Sequence, residues 1–511
     1  MNKTSPYTGS EYIESLRDGR TVFIGGERVA DVTIHPAFRN SVRSIARMYD
    51  AMHDAEMSKV LMTGTDTGNG GQTHRFFKAP RSSEEMVQQR EAIAAWARLS
   101  YGWMGRSPDF KAALSTTFGA YPEFYGEYAP NVRAWYKKIQ ESVLFMNHAI
   151  VNPPVDRGRS ADAVRDVCVK VEKETDAGIY VSGAKVVATG AVLTQWNFVG
   201  QAGRTATDDP SMAVMFMLPV GAPGCKLICR TSYEGQAAKH GAPFDYPLSS
   251  RFDENDSIFV LDNVFVPWEN VVVYRDLDKV MQFYQGSGFL QSCSLQACTR
   301  FSVKLDFLAG VVARALKITG GDAFRGNQVL LGEIMAMRHM FWSFTDAMVG
   351  RPEPWNGDYL LPNLRACISY RTSAPAAFAR VREIAQKIIA SSLIYLPSSA
   401  KDLDHPEIAP YLERYVRGSN GVGYRERIKV MKLLWDSVGT EFSGRHELYE
   451  RNYAGNHEEI RLQALATAQK SGAMQSIEEL VDNCLGDYDE SGWTRAAWAG
   501  SKAGAAPEVA A

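Results

Sequence analysis

Arg106 stands in SYGWMGRSPDF (residues 100–110), an arginine set among Tyr101, Trp103, Met104 and Phe110. A solvent loop has no need of those aromatics, and a sealed core has no place for a free guanidinium. A fixed cation beside flat apolar walls suits a ligand that carries or develops negative charge. His148 lies in FMNHAIVNPPVDR (145–157), before the apolar triplet Ala149–Val151. Its imidazole is the side chain suited to exchange a proton near neutral pH. On pattern alone, a core histidine satisfied by backbone groups explains it as well. GTEFSGRHELYE (439–450) ends a helical run in glycines, where backbone amides can approach a ligand closely. The alternative there is a helix cap with a solvated Arg445.

Other signals fail. No GxGxxG follows a strand, and GTDTGNGGQTH (64–74) has glycines without that spacing or context. No classical nicotinamide domain is therefore expected. HELYE (446–450) resembles a zinc-protease helix, but its second ligand position is Glu450. Cys225 and Cys229 flank KLI with no second pair nearby, so they read as core thiols. No metal site is expected.

Three regions must position the candidates. In residues 1–147 the reading is mainly helical: RSSEEMVQQREAIAAWARL places Ser82 and Glu85 at capping-box spacing, then Met86, Ile93, Trp96 and Ala97 at helical spacing. Gly102, Gly105 and Pro108 break the helix that follows. In residues 148–275, VCVKVEKETDAGIYVSGAKVVATG reads as a hairpin turning at TDAG, and MAVMFMLPV, CKLICRTSY and SIFVLDNVFVPWENVVVY as further strands. No helical pattern interrupts them, which favours an antiparallel sheet or barrel. From 276 to 498 the helical period returns. Phe301, Leu305, Leu308, Val312 and Leu316 form one stripe, Gly320 suits a C-terminal cap, and three more amphipathic stretches suggest a bundle. The tail, 499–511, is small, lacks aromatics and reads as disordered.

The bulk numbers narrow the class. The 511 residues are 45% hydrophobic and carry a formal net charge of −2, with basic residues scattered. Nucleic-acid and anionic-membrane binding gain no support. Seven irregularly spaced cysteines make a poor disulfide framework, so a reducing cytoplasm is expected. The N-terminus lacks the apolar stretch of a signal peptide, and no run of about 18 apolar residues exists.

Several long segments then agree on one family. SYGWMGRSPDFKAA, NHAIVNPPVDR, KETDAGIYVSGAKVVATG, YPLSSRFDENDSIFVLDNVFVPWENV, IYLPSSAKDLDHPEI, YVRGSNG and WDSVGTEFSGRHELYERNY resemble the oxygenase component of 4-hydroxyphenylacetate 3-monooxygenase. The resemblance runs from Thr8 to Trp493. It implies an α+β, acyl-CoA-dehydrogenase-like fold with an N-terminal helical domain, a middle antiparallel β domain and a C-terminal four-helix bundle, in a homotetramer or homodimer. It also implies a two-component system, in which a separate NAD(P)H:flavin reductase supplies diffusible reduced FAD and O2 is the co-substrate. The oxygenase then hydroxylates a para-substituted phenol ortho to its oxygen through a flavin C4a-hydroperoxide. That chemistry needs water excluded and an electron-rich ring, and a free phenol titrates near 10, so a base and a cation beside the oxygen both help.

The same resemblance assigns Arg106 to the substrate oxygen and flavin edge and His148 as base. It maps flavin contacts onto His148, Ala149, Ile150, Pro154, Val155, Asp156, Arg157, Thr189, Phe442, Ser443, Gly444 and Arg445. Gln201 and Ala202 fall to the substrate tail. Phe110 departs from the pattern: the family usually has a tyrosine there, donating to the phenol oxygen. A lost hydrogen bond to a charged group is worth about 1.5–3 kcal/mol. The departure points to a related aromatic, a coumarate, tyrosine-like, aminophenyl or indole ring, or else to neutral drift with a water in the hydroxyl's place. Of the competing functions, a dehydratase of this fold holds an iron–sulfur cluster on N-terminal cysteines and a bundle histidine. This chain has no cysteine before Cys168 and no histidine between His240 and His339. An acyl-CoA dehydrogenase and a non-catalytic flavin-binding protein are the remaining alternatives.

Overall fold

The protein is described here by a computed structural model covering residues 4–156, 158–201 and 209–495. Ten strands build two sheets: β1 (Thr21–Ile24), β2 (Glu27–Val29), β3 (Met146–Ala149), β4 (Lys170–Thr175), β5 (Gly178–Lys185), β6 (Trp196–Val199), β7 (Val214–Pro219), β8 (Cys225–Cys229), β9 (Ser257–Pro267) and β10 (Val271–Tyr274). The larger sheet has the order β2-β1-β8-β9-β5-β4, and the smaller one β10-β7-β6-β3. The expected hairpin is β4–β5, closing with Thr175 opposite Gly178. Along β9, Ser257, Phe259 and Leu261 are buried and the alternation restarts at Val264. The reset coincides with a register shift against β5 between Leu261 and Val264, the signature of a bulge.

Three features depart from the sequence reading. The first 147 residues contribute strands as well as helices. β1 runs parallel to β8 and extends the larger sheet, and three or four residues per strand are too few to show a period. β3 likewise pairs in parallel with β6, so the sheets are not wholly antiparallel. A helix, Tyr233–His240, also interrupts the strand run after β8.

The helices that matter to the site are α1 (Ser83–Leu99), α2 (Ala112–Ala120), α3 (Ala129–Ser142), α4 (Phe289–Thr319), α5 (Arg325–Gly350), α6 (Leu364–Ile389), α7 (Tyr424–Val438) and α8 (Glu441–Asn452). At the start of α1, Ser82 Oγ accepts from the Glu85 N–H at 3.1 Å, half of the expected box. The other half is not formed, because the Glu85 carboxylate accepts from the Arg81 N–H instead. α4 ends where its stripe ends, at Gly320, whose φ of +71° is left-handed. α5, α6 and α7 pack around α4 as the bundle.

The chain forms two compact units, one through Tyr453 and one from Ala454. The second contains α9 (His457–Lys470) and α10 (Ala473–Leu485). On α10 the apolar residues Ile477, Leu480, Val481 and Leu485 are exposed. Among the described residues, no helix is long and apolar enough to cross a membrane. The tail 499–511 lies outside them. All seven cysteines are free thiols.

Candidate active site

α1 ends at Leu99, and residues 100–111 run from it across the bundle. Gly105 is required there: a Cβ would fall 2.0 Å from the Tyr449 hydroxyl oxygen. Pro108 opens a short 3-10 turn, Pro108–Lys111, which fixes Phe110 and Lys111 in the interior. The turn is tied down on one side. The Ser107 hydroxyl donates to Asp109, and Gln296 on α4 donates to Asp109 at 3.3 Å. Burial pushes the Asp109 carboxyl up to about 6, against those hydrogen bonds.

The Arg106 backbone N–H donates to Glu254. Its guanidinium makes no ion pair among the described residues and lies over aromatic rings, 3.9 Å from the Phe110 centroid and 4.8 Å from that of Tyr453. Burial opposes its charge, yet Tyr449, Tyr453 and Glu254 hold it protonated. Phe110 is buried and meets the His148 ring edge-on at 5.4 Å.

β3 is the edge strand of its sheet, so the 106–110 segment can reach its free edge. Successive strand residues face opposite ways. Asn147 and the Arg106 Cβ come together at Gly190, while His148 faces Phe110. Burial, then Lys111 and Arg106, holds His148 well below the usual histidine range, so it is a neutral imidazole at pH 7. Its Nδ1 has no partner, nor do either amide atom of Asn147, Arg106 Nε or the Tyr449 hydroxyl. The backbone-satisfied histidine considered from sequence is not what the fold makes at Nδ1. Buried polar atoms are nearly always paired, so this many orphans around one place calls for a bound group.

Asp256 gathers a second cluster. It accepts from Arg445 Nε at 3.0 Å and Nη2 at 2.8 Å, from Arg230 Nε at 2.9 Å, and from the Thr189 hydroxyl. Burial resists ionisation, but Arg445 and Arg230 outweigh it and hold the carboxylate well below its usual range. Arg445 is therefore not a solvated cap; it is buried in ion pairs with Asp256 and Glu254. It stands in the first turn of α8, where Thr440 caps the Ser443 N–H. The Phe442 ring packs 5.5 Å from Trp103 and 4.4 Å from His446. The Ser443 hydroxyl turns back to the Thr440 carbonyl, whereas nothing lies within 4 Å of a Cβ placed on Gly444.

Behind Tyr449 lies a sealed ionic network. Arg300 forks onto Glu450, and Lys304 reaches the same carboxylate at 2.9 Å and His446 Nδ1 at 3.2 Å. Against burial, Arg300 and Lys304 hold Glu450 at about 2. Burial brings Lys304 down to about 8 despite Glu450.

The fold thus joins Arg106, Phe110 and His148 directly, and Thr189 with Arg445 through Asp256. Ala149 is buried at the end of β3, and Ile150 follows it. Gln201 is buried just past β6, accepting from Lys185 Nζ at 2.9 Å and donating to the Met212 carbonyl at 3.2 Å. Pro154, Val155 and Asp156 form a turn in which Val155 and Asp156 are exposed, and no hydrogen bond or ring contact among the described residues ties it to Arg106 or His148. Arg157 and Ala202 lie outside the described residues. Sequence reasoning missed Asn147, Lys111, Glu254, Asp256 and Arg230. The acid-rich DEND at 253–256 was the available signal for two of them.

The family model described as 4-hydroxyphenylacetate 3-hydroxylase N terminal matches residues 8–273, and its C-terminal counterpart matches residues 280–482. The chain belongs to the 4-hydroxyphenylacetate 3-hydroxylase family. A 4-hydroxyphenylacetate 3-monooxygenase oxygenase component from Pseudomonas aeruginosa is 54% identical over 96% of this chain and 95% of its own. A 4-nitrophenol 2-monooxygenase oxygenase component from Rhodococcus sp is 53% identical over 97% and 95%. The solved structure of a 4-hydroxyphenylacetate 3-monooxygenase oxygenase component complexed with FAD and 4-hydroxyphenylacetate superposes with a TM-score of 0.87 at 31% identity, covering 94% of this chain and 99% of that one. The α+β, acyl-CoA-dehydrogenase-like architecture of this 4-hydroxyphenylacetate 3-hydroxylase family member follows. Its site fits a flavin on its own terms. Orphaned donors and acceptors on Arg106, Asn147, His148 and Tyr449 suit a polar ring system, and the start of α8 suits phosphate.

Proposed function

We propose that this chain is the oxygenase component of a two-component aromatic monooxygenase. It takes reduced FAD from a separate NAD(P)H:flavin reductase and hydroxylates a para-substituted phenol of the 4-hydroxyphenylacetate type ortho to its oxygen. One oxygen atom of O2 enters the ring, the other leaves as water, and bound reduced FAD supplies the two electrons. The observation that carries this reading is the unpaired Arg106 guanidinium beside a neutral His148 with a free Nδ1.

The geometry supports the roles of Arg106 and His148, and the family resemblance supplies the contacts beyond them. Arg106 favours the phenolate over the phenol, since an opposite charge nearby stabilises the ionised form. His148, neutral at pH 7, accepts the phenol proton. Thr189, Asp256 and Arg445 stiffen one wall of the flavin site; the first turn of α8, Phe442–Arg445, faces the phosphates. His148, Ala149 and Ile150 line the ring, with Pro154, Val155, Asp156 and Arg157 completing the contacts. Gln201 and Ala202 hold the substrate tail. The walls around Arg106 are buried, which keeps water from diverting the electrons to H2O2.

Phe110 supports a second reading of the substrate. It contributes no hydroxyl, so a ring needing one donor fewer, such as an aminophenyl or indole, is served as well as a phenol. For assembly, a cytoplasmic homotetramer is the proposal; the exposed apolar row on α10 is surface that such an assembly would bury. The test is a product panel. Protein with anaerobically reduced FAD is mixed with O2 and 4-hydroxyphenylacetate, coumarate, tyrosine, 4-aminophenylacetate, 4-nitrophenol or indole. Hydroxylated product from one or more rings is expected. H2O2 alone from every ring contradicts the reading.

A further inference from the structure

Lys111 is a buried lysine amine that the assigned chemistry does not use. It follows Phe110 at the end of the 108–111 turn and is 1% exposed. Its Nζ lies 4.5 Å from the Phe110 centroid and 4.3 Å from that of Phe289 on α4. No hydrogen bond or ion pair of Lys111 occurs among the described residues. Burial holds Lys111 well below the usual lysine range; of the groups that act on it, the Cys293 thiol on α4 favours its charge and Arg106 opposes it.

The Arg106 Cζ and Lys111 Nζ both lie within 5 Å of one ring centre, that of Phe110. Both side chains therefore border the same ring. Burial apart, Lys111 acts on His148 more strongly than Arg106 does. An amine buried beside a guanidinium, with no anion paired to it, gives up its charge and regains it when an anion enters, and such a pair marks a site built for an incoming anion. Tyr284 and Tyr453, whose phenols burial keeps protonated, the Cys293 thiol and Arg371 also act here; Glu254, which holds Arg106 charged, is not among the groups that act on Lys111.

We propose that Lys111 is the second cation of the substrate-oxygen site. Protonated from solvent once the anion is present, its amine joins Arg106 in receiving the ring oxygen as an oxyanion, on the side where Phe110 offers no hydroxyl. The inference rests on the proposed function, since it takes the ligand to be an aromatic ring bearing an ionisable oxygen. Charge in this arrangement replaces a neutral donor. Lys111 then determines specificity: rings that ionise bind, and isosteric rings that cannot are disfavoured.

The probe is 3-fluoro-4-hydroxyphenylacetate, bound to protein loaded with oxidised FAD and followed by 19F NMR across pH. Fluorine beside the oxygen reports whether the bound ring is phenol or phenolate. In the wild-type protein the bound probe should ionise at least one pH unit below the free probe. In Lys111→Met that lowering should shrink by a pH unit or more, a tenfold change in the ionisation equilibrium, and Lys111→Arg should restore it. Lys111→Gln serves the same comparison if the methionine variant does not fold. A wild-type shift that survives in Lys111→Met or Lys111→Gln overturns the role of Lys111 while leaving the proposed function intact. A wild-type protein that binds the probe as neutral phenol, or not at all, overturns the inference, and the product panel tests the proposed function separately.

Discussion

Gly105→Ala perturbs the site without touching charge or hydrogen bonding. The added Cβ would sit 2.0 Å from the Tyr449 hydroxyl oxygen, 2.7 Å from Cζ and 2.9 Å from Cε1. Ordinary contact needs about 3.5 Å, so the ring or the loop must retreat by about 1.5 Å. The Tyr449 ring has little room to do so. Its centroid is 4.8 Å from that of Tyr453, with the Arg445 Cζ at 4.7 Å and the Arg106 Cζ at 5.5 Å. Overpacking of this kind costs about 1–3 kcal/mol of stability. Displacing a positioning group by about 1 Å costs about 100-fold in rate. The expected variant folds with a lowered Tm, and its hydroxylation falls roughly 100-fold while H2O2 per flavin rises. Gly332→Ala is the control: it lies inside α5 with nothing within 4 Å of its Cβ, and it should gain about 0.5–1 kcal/mol without changing coupling. Tm comes from calorimetry, and coupling from product and peroxide after single turnover. Wild-type Tm and coupling in Gly105→Ala would refute the packing argument.

Three further outcomes follow from the same geometry. Asp256→Asn leaves Arg445 and Arg230 without their shared anion; partial exposure moderates the loss to about 2–3 kcal/mol, with weaker FAD binding by fluorescence titration, and unchanged binding would remove Asp256 from the flavin wall. Arg300 and Lys304 hold Glu450 at about 2 in the fold against the usual 4.5, so its stabilisation is present above 4.5 and is lost as pH falls from 4.5 towards 2. At pH 7 that depression corresponds to about 3 kcal/mol, so Glu450→Gln should lower denaturant stability by about that much at pH 7 and far less at pH 2, and an equal deficit at both would contradict the ion-pair account. Phe110→Tyr adds a donor beside His148 and should favour 4-hydroxyphenylacetate over 4-aminophenylacetate by roughly 10- to 100-fold in kcat/KM, whereas an unchanged ranking assigns Phe110 to drift.

What the sequence made legible was local or long. The β4–β5 hairpin followed from alternation around TDAG, and α4 from a stripe ending at Gly320, because each signal lies within one element. Arg106 and His148 stood out because a cation among aromatics and a histidine before a Pro-Pro turn are locally odd. Other features depend on what lies across the fold. β1 joins the larger sheet through a parallel pairing with β8 some 200 residues away, and no short period announces that. On pattern alone a solvated Arg445 stays open beside the flavin contact, because its partners, Glu254 and Asp256, sit 191 and 189 residues earlier. Lys111 was hidden for the opposite reason. A lysine after an aromatic is an ordinary surface pattern, and only the packing of Phe289 over it shows that it is interior.

The central claim is that this protein binds reduced FAD and directs its electrons, with O2, into an aromatic ring. The most direct test mixes protein and anaerobically reduced FAD with O2 in a stopped-flow instrument, following flavin absorbance and then quantifying product formed from 4-hydroxyphenylacetate. The account predicts flavin reoxidation slower than that of free flavin and close to one hydroxylated ring per flavin. Reoxidation at the rate of free flavin, with H2O2 and no hydroxylated ring, would contradict it.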